Sequence, residues 1–300
     1  MDQQARGGPL VAFFGGSFDP PHLGHLGVAR AAREALGLDT VLFAPVGTQP
    51  LKPRGTEAAF EDRLAMTRLA IAAEPGFALS LADAPKPSGA PNYTLETLIA
   101  LRAQLPPGNA LFCLMGADSF TGFCRWHRAA EIPFVAPLIV ASRPGQPLDN
   151  LDSALPQSLS IEAVPAPDDL AEESYASAKE TEGGGGFTGC GKTRNRTSFV
   201  SGHDFSRAVS ASKQMRALAP EGSFSAKAIA LRRYILRNPA GRQTPFYLLP
   251  GLHFDISASD IREQIRLSQT SPAASPAQNP HSALIPPPVL DYIRTHHLYR

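Results

Sequence analysis

His22 and His25 stand three residues apart in the run VAFFGGSFDPPHLGH, residues 11–25, just after a turn of glycines and prolines. Once a helix has started, positions i and i+3 share a face, so the two imidazoles converge. A helix start also offers free N–H groups and the positive end of the helix dipole, which suits phosphate. Two imidazoles added there make a compact polyphosphate site. Gly15 and Gly16 remove two side chains where a strand ends, so a ligand can approach the backbone around Gly16, Ser17 and Phe18. Similar chemistry returns late in the chain. In DISASDIREQ, residues 255–264, the Ser257 and Ser259 hydroxyls lie near a helix start and Arg262 projects from the first turn. That is a second phosphate cradle or, more plainly, a capped surface helix. Gly116-Ala117-Asp118 puts a carboxylate after a strand, where an acid can accept hydrogen bonds from ribose hydroxyls. Lys52, between two prolines in PVGTQPLKP, is a phosphate ligand or a solvated loop lysine.

These residues need strands that end where they sit. Val11–Phe14 is short, apolar and aromatic, as a buried strand should be. A helix follows from about Gly24 to Leu36, with Leu26, Ala29, Ala32 and Leu36 as its apolar stripe and Gly37 as its C-cap. Thr40–Val46 is the next strand. Strand, helix and strand in succession make a βαβ unit, hence a parallel sheet with a right-handed crossover. The alternation continues with a helix over 57–73, with Phe60, Leu64, Leu69 and Ile71 as core, and a strand over 77–83. A helix over 92–105, capped by Asn92, precedes strands at 110–115 and 137–142. A strand at 245–249, a helix within 255–267 and a last helix after the prolines at 286–288 close the pattern. The expected fold is α/β, a Rossmann-like doubly wound parallel sheet. Such sheets bind ligands beyond the carboxyl ends of their strands, where His22, His25, Lys52 and Asp118 all fall.

At 300 residues the chain can bury one substantial core. A formal net charge of +1 predicts no bulk attraction to nucleic acid or to an acidic membrane. Three cysteines at irregular spacing make neither a disulfide framework nor a zinc site, and fit a reducing, cytoplasmic setting. Residues 1–9 are polar and lack the apolar run of a signal peptide. No apolar run approaches the ~20 residues of a membrane span.

The pattern breaks near Asp149. Residues 149–182 hold nine acids and one lysine, whereas 183–242 hold eleven lysines and arginines and two acids. With a glycine run and many serines, 151–243 reads as a low-complexity, largely disordered insertion. It divides one domain, 10–150 with 244–300, that follows a disordered tail over 1–9. Within the insertion, 226–236 is expected to form one basic helix. GFTGCGKT, residues 186–193, satisfies the Walker A pattern, but its flanks supply neither the strand before nor the helix after that a P-loop requires. The block from residue 189 onward reads as a translated mobile repeat inserted in frame. The alternative is a basic arm for RNA or DNA.

Gly16, Phe18, Pro20, His22, Gly24 and His25 form the run G-x-F-x-P-x-H-x-G-H, which resembles the signature of the HxGH nucleotidyltransferase superfamily. Its second signature is resembled by I-S-A-S-D-I-R, residues 256–262. Ser257, Ser259, Ile261 and Arg262 are in place, while Ala258 replaces a frequent serine and costs one possible hydroxyl. Within the superfamily the chain is most similar to bacterial nicotinate-nucleotide adenylyltransferases. There a basic residue follows a proline-bounded loop, as Lys52 follows Pro45–Pro50 here. A Tyr-Thr pair like Tyr93-Thr94 faces the pyridine carboxylate, although by themselves these two read equally well as ordinary helix-start residues. The spacing from Gly116 and Asp118 to Trp126 matches an indole that stacks on the nicotinate ring; a sole tryptophan otherwise reads as packing. Arg143, in Ser142-Arg143-Pro144-Gly145, matches an arginine on the mononucleotide phosphate. Leu298-Tyr299-Arg300 matches the usual tail.

The resemblance implies adenylyl transfer from ATP to nicotinate mononucleotide, with Mg²⁺ accompanying ATP. ATP would be held by Gly15, Gly16, Ser17, Phe18, His22, His25, Gly116, Asp118, Ser257, Ser259 and Arg262. The mononucleotide would be held by Lys52, Tyr93, Thr94, Asp118, Trp126 and Arg143. Charge neutralisation would fall to His22, His25, Lys52 and Arg262. A phosphopantetheine adenylyltransferase of the same fold is the first alternative, disfavoured by Tyr93-Thr94, Trp126 and Arg143. A nucleic-acid-binding protein acting through the basic insertion is the second, disfavoured by the intact His22, His25, Ser257 and Arg262. A homo-oligomer stays open.

Overall fold

Val11, Ala12, Phe13 and Phe14 are all buried, as a strand covered on both faces requires. They form β1 (Leu10–Gly16). The computed structural model describes residues 8–51, 55–142, 151–164, 231–250, 257–270 and 284–300. The remaining strands are β2 (Thr40–Pro45), β3 (Phe77–Leu79), β4 (Ala110–Gly116), β5 (Leu138–Ala141), β6 (Ser160–Ala163), β7 (Arg232–Arg237) and β8 (Gln243–Leu249). They lie in the order β3-β2-β1-β4-β5-β8-β7-β6. The first six are parallel, β7 runs antiparallel to β8, and β6 antiparallel to β7. The order turns back on itself between β1 and β4, so the crevice beyond their carboxyl ends is the switch point where open α/β sheets bind ligands.

Helices cover both faces. They are α1 (Leu23–Leu36), α2 (Phe60–Ile71), α3 (Thr94–Gln104), the single turns α4 (Ala117–Phe120), α5 (Ile132–Val135) and α6 (Leu151–Ala154), then α7 (Ala258–Thr270) and α8 (Pro287–Thr295). Alternate residues of β1 point to opposite faces. Ala12 and Phe14 share a core with Leu26 of α1, Met66 of α2, Ile261 of α7 and Val289 of α8. Val11 and Phe13 share the other with Leu98 of α3, Phe120 of α4 and Ile132 of α5. This is the doubly wound arrangement expected from the alternation of elements. Gly37 closes α1 at φ 63, and its N–H donates to Arg33 O.

Several local expectations are corrected. In α2 the buried face is Arg63, Met66, Thr67, Ala70 and Ile71. Phe60, Leu64 and Leu69 are only half-buried, because Arg63 is drawn inward by backbone carbonyls described below. β3 stops at Leu79. Beyond Ser80, whose N–H bonds to Phe43 O at 2.8 Å, the chain turns until Asp83 O accepts Gly47 N–H at 2.8 Å. Asn92 does not cap α3; that position is Tyr93. The Asn92 side chain instead accepts from Thr48 N at 3.0 Å and donates to Ala84 O at 2.9 Å, joining two loops.

At the far edge the run expected as a basic helix over 226–236 supplies β7 instead. Leu236 is fully buried, and Tyr234 meets Phe246 of β8 edge-on with ring centroids 5.8 Å apart. Pairing with strands on both sides overrides the local preference. Both β6 and β7 come from the stretch read as insertion, so the sheet continues into it from each end. Residues 165–230, with the 186–193 motif and the proposed repeat, lie outside the described residues, as do 226–230 of the expected helix.

Candidate active site

A cavity of about 1130 Å³ opens beyond the carboxyl ends of β1 and β4. Its floor is the end of β1. A Cβ on Gly15 would stand 2.8 Å from the Phe13 ring, and one on Gly16 would stand 3.1 Å from the Phe18 ring. Aromatic packing, as well as ligand access, therefore holds those two positions to glycine. Phe18 is buried and adopts φ 47, a left-handed conformation that a bulky residue keeps only when its surroundings enforce it. Phe14 and Phe43 do so, each with its ring centroid 5.6 Å from that of Phe18. Past this bend His22 starts α1. Its ring stacks on His25 with centroids 3.7 Å apart, and its N–H donates to His25 Nδ1 at 3.2 Å. With Nδ1 accepting, a neutral His25 carries its proton on Nε2, where it is a donor. Both imidazoles line the cavity.

α7 brings the second set of residues to the same wall. Ser257, Ser259 and Arg262 line the cavity. Ser257 Oγ accepts from Ser259 N at 3.2 Å, a local bond at the helix start. Arg262 donates from Nη1 to Asp19 O at 2.7 Å, from Nε to Glu57 Oε1 at 2.7 Å and from Nη2 to Ser259 Oγ at 3.3 Å. Positions 243 apart in sequence thus meet directly, and the late guanidinium lies on the loop that leads into the imidazole pair. Glu57 also pairs with Arg266, one turn further along α7.

On the opposite side, Gly116 and Asp118 stand where β4 passes into α4, with Asp118 exposed. A Cβ on Gly116 would meet nothing within 4 Å, so the backbone there faces open space. Tyr93, Thr94 and Trp126 line this part of the cavity. Tyr93 lies against His127 with centroids 4.4 Å apart, and half-buried Trp126 packs on Phe123 at 5.5 Å. Beneath them the buried Asp83 accepts from Thr97 Oγ1 at 2.7 Å. Burial pushes its carboxyl pKa up, against the opposing pull of that hydrogen bond and of Lys86. Cys113 in β4 also borders the cavity, but burial pushes its thiol up to about 12, which makes it inert packing.

Fourteen of the sixteen site residues expected from the sequence border this one cavity. Lys52 and Arg143 lie outside the described residues. Four residues not anticipated brace the site, Asp19 from the cavity wall and Arg63, Glu57 and Tyr299 from outside the lining. Arg63, 1 % exposed, donates from Nη1 to Ser17 O at 2.7 Å, from Nη2 to Val46 O at 2.8 Å and from Nε to Ala58 O at 3.3 Å. Asp19 accepts Glu57 N–H at 2.8 Å and Ala58 N–H at 3.2 Å, and Tyr299 donates its phenol to Asp19 Oδ1 at 2.7 Å. Glu57 holds the two arginines of α7. One signal was available: Arg63 falls on the same helical face as Met66, Thr67 and Ala70, where a charge requires partners.

The pattern that defines the cytidylyltransferase-like family matches residues 13–264. Among curated proteins, a "Probable nicotinate-nucleotide adenylyltransferase" of Gloeobacter violaceus is 44% identical over 142 residues, 47% of this chain and 68% of that protein. One of the same name from Trichlorobacter lovleyi is 43% identical over 147 residues, 49% of this chain and 68% of that protein. Among solved structures, Plasmodium falciparum nicotinic acid mononucleotide adenylyltransferase complexed with NaAD aligns at a TM-score of 0.55 and 14% identity, over 97% of this chain and 98% of that one. At that identity the likeness is one of fold.

Proposed function

The chain belongs to the cytidylyltransferase-like family, and from that premise we propose that it transfers the adenylyl group of ATP to nicotinate mononucleotide. The products are nicotinate adenine dinucleotide and pyrophosphate, a step of NAD biosynthesis. The relatives that carry this activity in their names support the reading. The observation that carries it is the meeting of two helix starts, α1 and α7, through Arg262 and the Asp19 carbonyl at the sheet's switch point, each start of a kind suited to phosphate.

The mononucleotide phosphate is already a nucleophile, so no strong base is required. It attacks the α-phosphorus in line, a new P–O bond forms, and the bond to the β-phosphate breaks as pyrophosphate leaves. Catalysis then consists of holding two anions together and neutralising charge on the α-phosphoryl and leaving groups. We assign that work to His22, His25 and Arg262, with the backbone N–H groups of residues 16–18. Lys52 is assigned to the same task. Asp118 takes ribose hydroxyls, while Tyr93, Thr94 and Trp126 receive the pyridine ring and Arg143 the mononucleotide phosphate.

Nucleotidyl transfer in this family uses a divalent metal with ATP, here taken as Mg²⁺. Among the described residues no three His, Cys, Asp or Glu side chains gather into a metal site. Asp19, beside the cavity, already has its carboxylate engaged by two N–H groups and a phenol. We take the ion as one that keeps its waters and is carried by the phosphates; when bound, it would screen their charge. Among the same residues no helix is long and apolar enough to cross a membrane; we place the reaction in the cytoplasm.

Purified protein supplied with ATP should convert nicotinate mononucleotide to the dinucleotide with one pyrophosphate released per turnover. Nicotinamide mononucleotide and phosphopantetheine serve as competing acceptors. Adenylylation of phosphopantetheine with no dinucleotide formed would overturn the assignment.

A further inference from the structure

Tyr299 lies beyond α8 and 280 positions from Asp19, yet its phenol is buried against that carboxylate at 2.7 Å. Asp19 is 4 % exposed. It sits between Phe18, with its left-handed backbone, and the prolines that lead into His22. Its oxygens also take the Glu57 and Ala58 N–H groups, and its carbonyl supports Arg262 Nη1. The carboxylate is therefore a junction. On one side it fixes the loop that presents Ser17, Phe18 and the two histidines. On the other it fixes the carbonyl on which the late arginine rests. Arg63 reinforces the loop from below by gripping Ser17 O. Tyr299 touches the junction without lining the cavity, whereas Asp19 does line it.

We infer that Tyr299 is a positioning residue for the triphosphate of ATP, acting through Asp19. Its OH sets the orientation of the Asp19 carboxylate and thereby the placement of the phosphate loop and of Arg262. Burial, and the carboxylate beside it, hold the phenol well above its ordinary pKa, so it is a donor throughout the working range of pH. A donor to a buried charged acceptor contributes more than a neutral pair does. Its loss leaves Asp19 Oδ1 with only the longer bond from Ala58 N. Among the described residues, none of the hydrogen bonds around Tyr93 and Trp126 reaches this junction, so the effect should fall chiefly on ATP.

The inference rests on the adenylyl-transfer reading, and the test separates the two. Tyr299→Phe keeps the ring in its apolar seat and removes one donor. Steady-state kinetics in both substrates should show KM for ATP raised about tenfold, the size of a lost hydrogen bond of roughly 1.4 kcal/mol. KM for nicotinate mononucleotide should stay within about twofold. Asp19→Asn should weaken ATP more, and the double variant should be no worse than Asp19→Asn alone, because the phenol acts only through that carboxylate. Unchanged ATP kinetics in a folded Tyr299→Phe protein would overturn the inference. So would equal losses for both substrates with a matching fall in Tm, additive losses in the double variant, or a Tyr299→Phe chain that does not fold. Failure of the functional reading itself would appear in the unsubstituted protein, which would form no dinucleotide.

Discussion

His25 of α1 and Arg63 of α2 divide the chemistry from its support. His25 is on the cavity side, held by its own Nδ1 contact with the His22 N–H. If its other nitrogen meets the α-phosphoryl as negative charge grows there, His25→Ala removes a contact stronger in the transition state than in the ground state. kcat should then fall about 10²–10³-fold, the loss typical of one oxyanion donor, with little change in Tm. Stopped turnover assays beside a thermal melt read both quantities. Arg63 is the contrasting case. Its side chain satisfies three backbone carbonyls in the interior, and burial lowers its pKa against the pull of nearby Asp19. Arg63→Met fills much of the volume but strands those acceptors. The expected cost is on the order of 3 kcal/mol, seen as a lower denaturant midpoint, together with weaker ATP binding as Ser17 loses its anchor.

At the scale of elements, the turn between β3 and α3 is tied by side chains that a strand-and-helix reading overlooks. Asp83 binds Thr97 of α3, and Asn92 links Thr48 to Ala84. Because burial raises the Asp83 pKa in the folded state, its protonated form is the one favoured by folding. Its contribution is present at pH below the unfolded carboxylate value and is lost as pH rises through the folded value. Asp83→Asn removes that titration. Its Tm relative to the parent should therefore climb as pH rises from about 4 to 7; a difference that stays flat or falls would contradict the sign. The same region shows what a sequence can and cannot carry. β1, α1, β2 and β4 were legible because apolar strands and a 3.6-residue stripe are local signals, and so was the switch point they create. Arg63, Asp19 and Tyr299 were not, since each draws its meaning from partners distant in the chain. Tyr299 stood in a tail matched only by resemblance. β7 was misread as helix because RRYILR carries no signal of the strands that flank it. The fourteen cavity residues were found by motif, which supplies types and spacing, whereas the bracing behind them is tertiary.

For the whole molecule, the geometry of β6 and β7 sets where the chain can be cut and rejoined. Ala163 lies opposite Tyr234, and Val164 N–H donates to Arg233 O at 3.0 Å. The ends of the two strands are therefore antiparallel neighbours, a spacing that a hairpin loop of two to five residues spans. Removal of 165–240, which falls within the 151–243 range marked by composition, would take β7 with it. It would expose β8, whose Thr244 and Phe246 are buried in part by that pairing, and leave an open edge prone to association. Replacing only 165–230 with a short glycine-containing turn keeps all the described strands of the sheet. The shortened protein should stay monodisperse at the size of the unshortened form's oligomer or monomer less the excised mass. It should retain adenylyl transfer within a few-fold, and any affinity for RNA or DNA carried by the basic stretch should vanish. Loss of transfer in a folded, shortened protein would place part of the site within 165–230, whereas the parallel deletion to 240 should lose Tm and activity together.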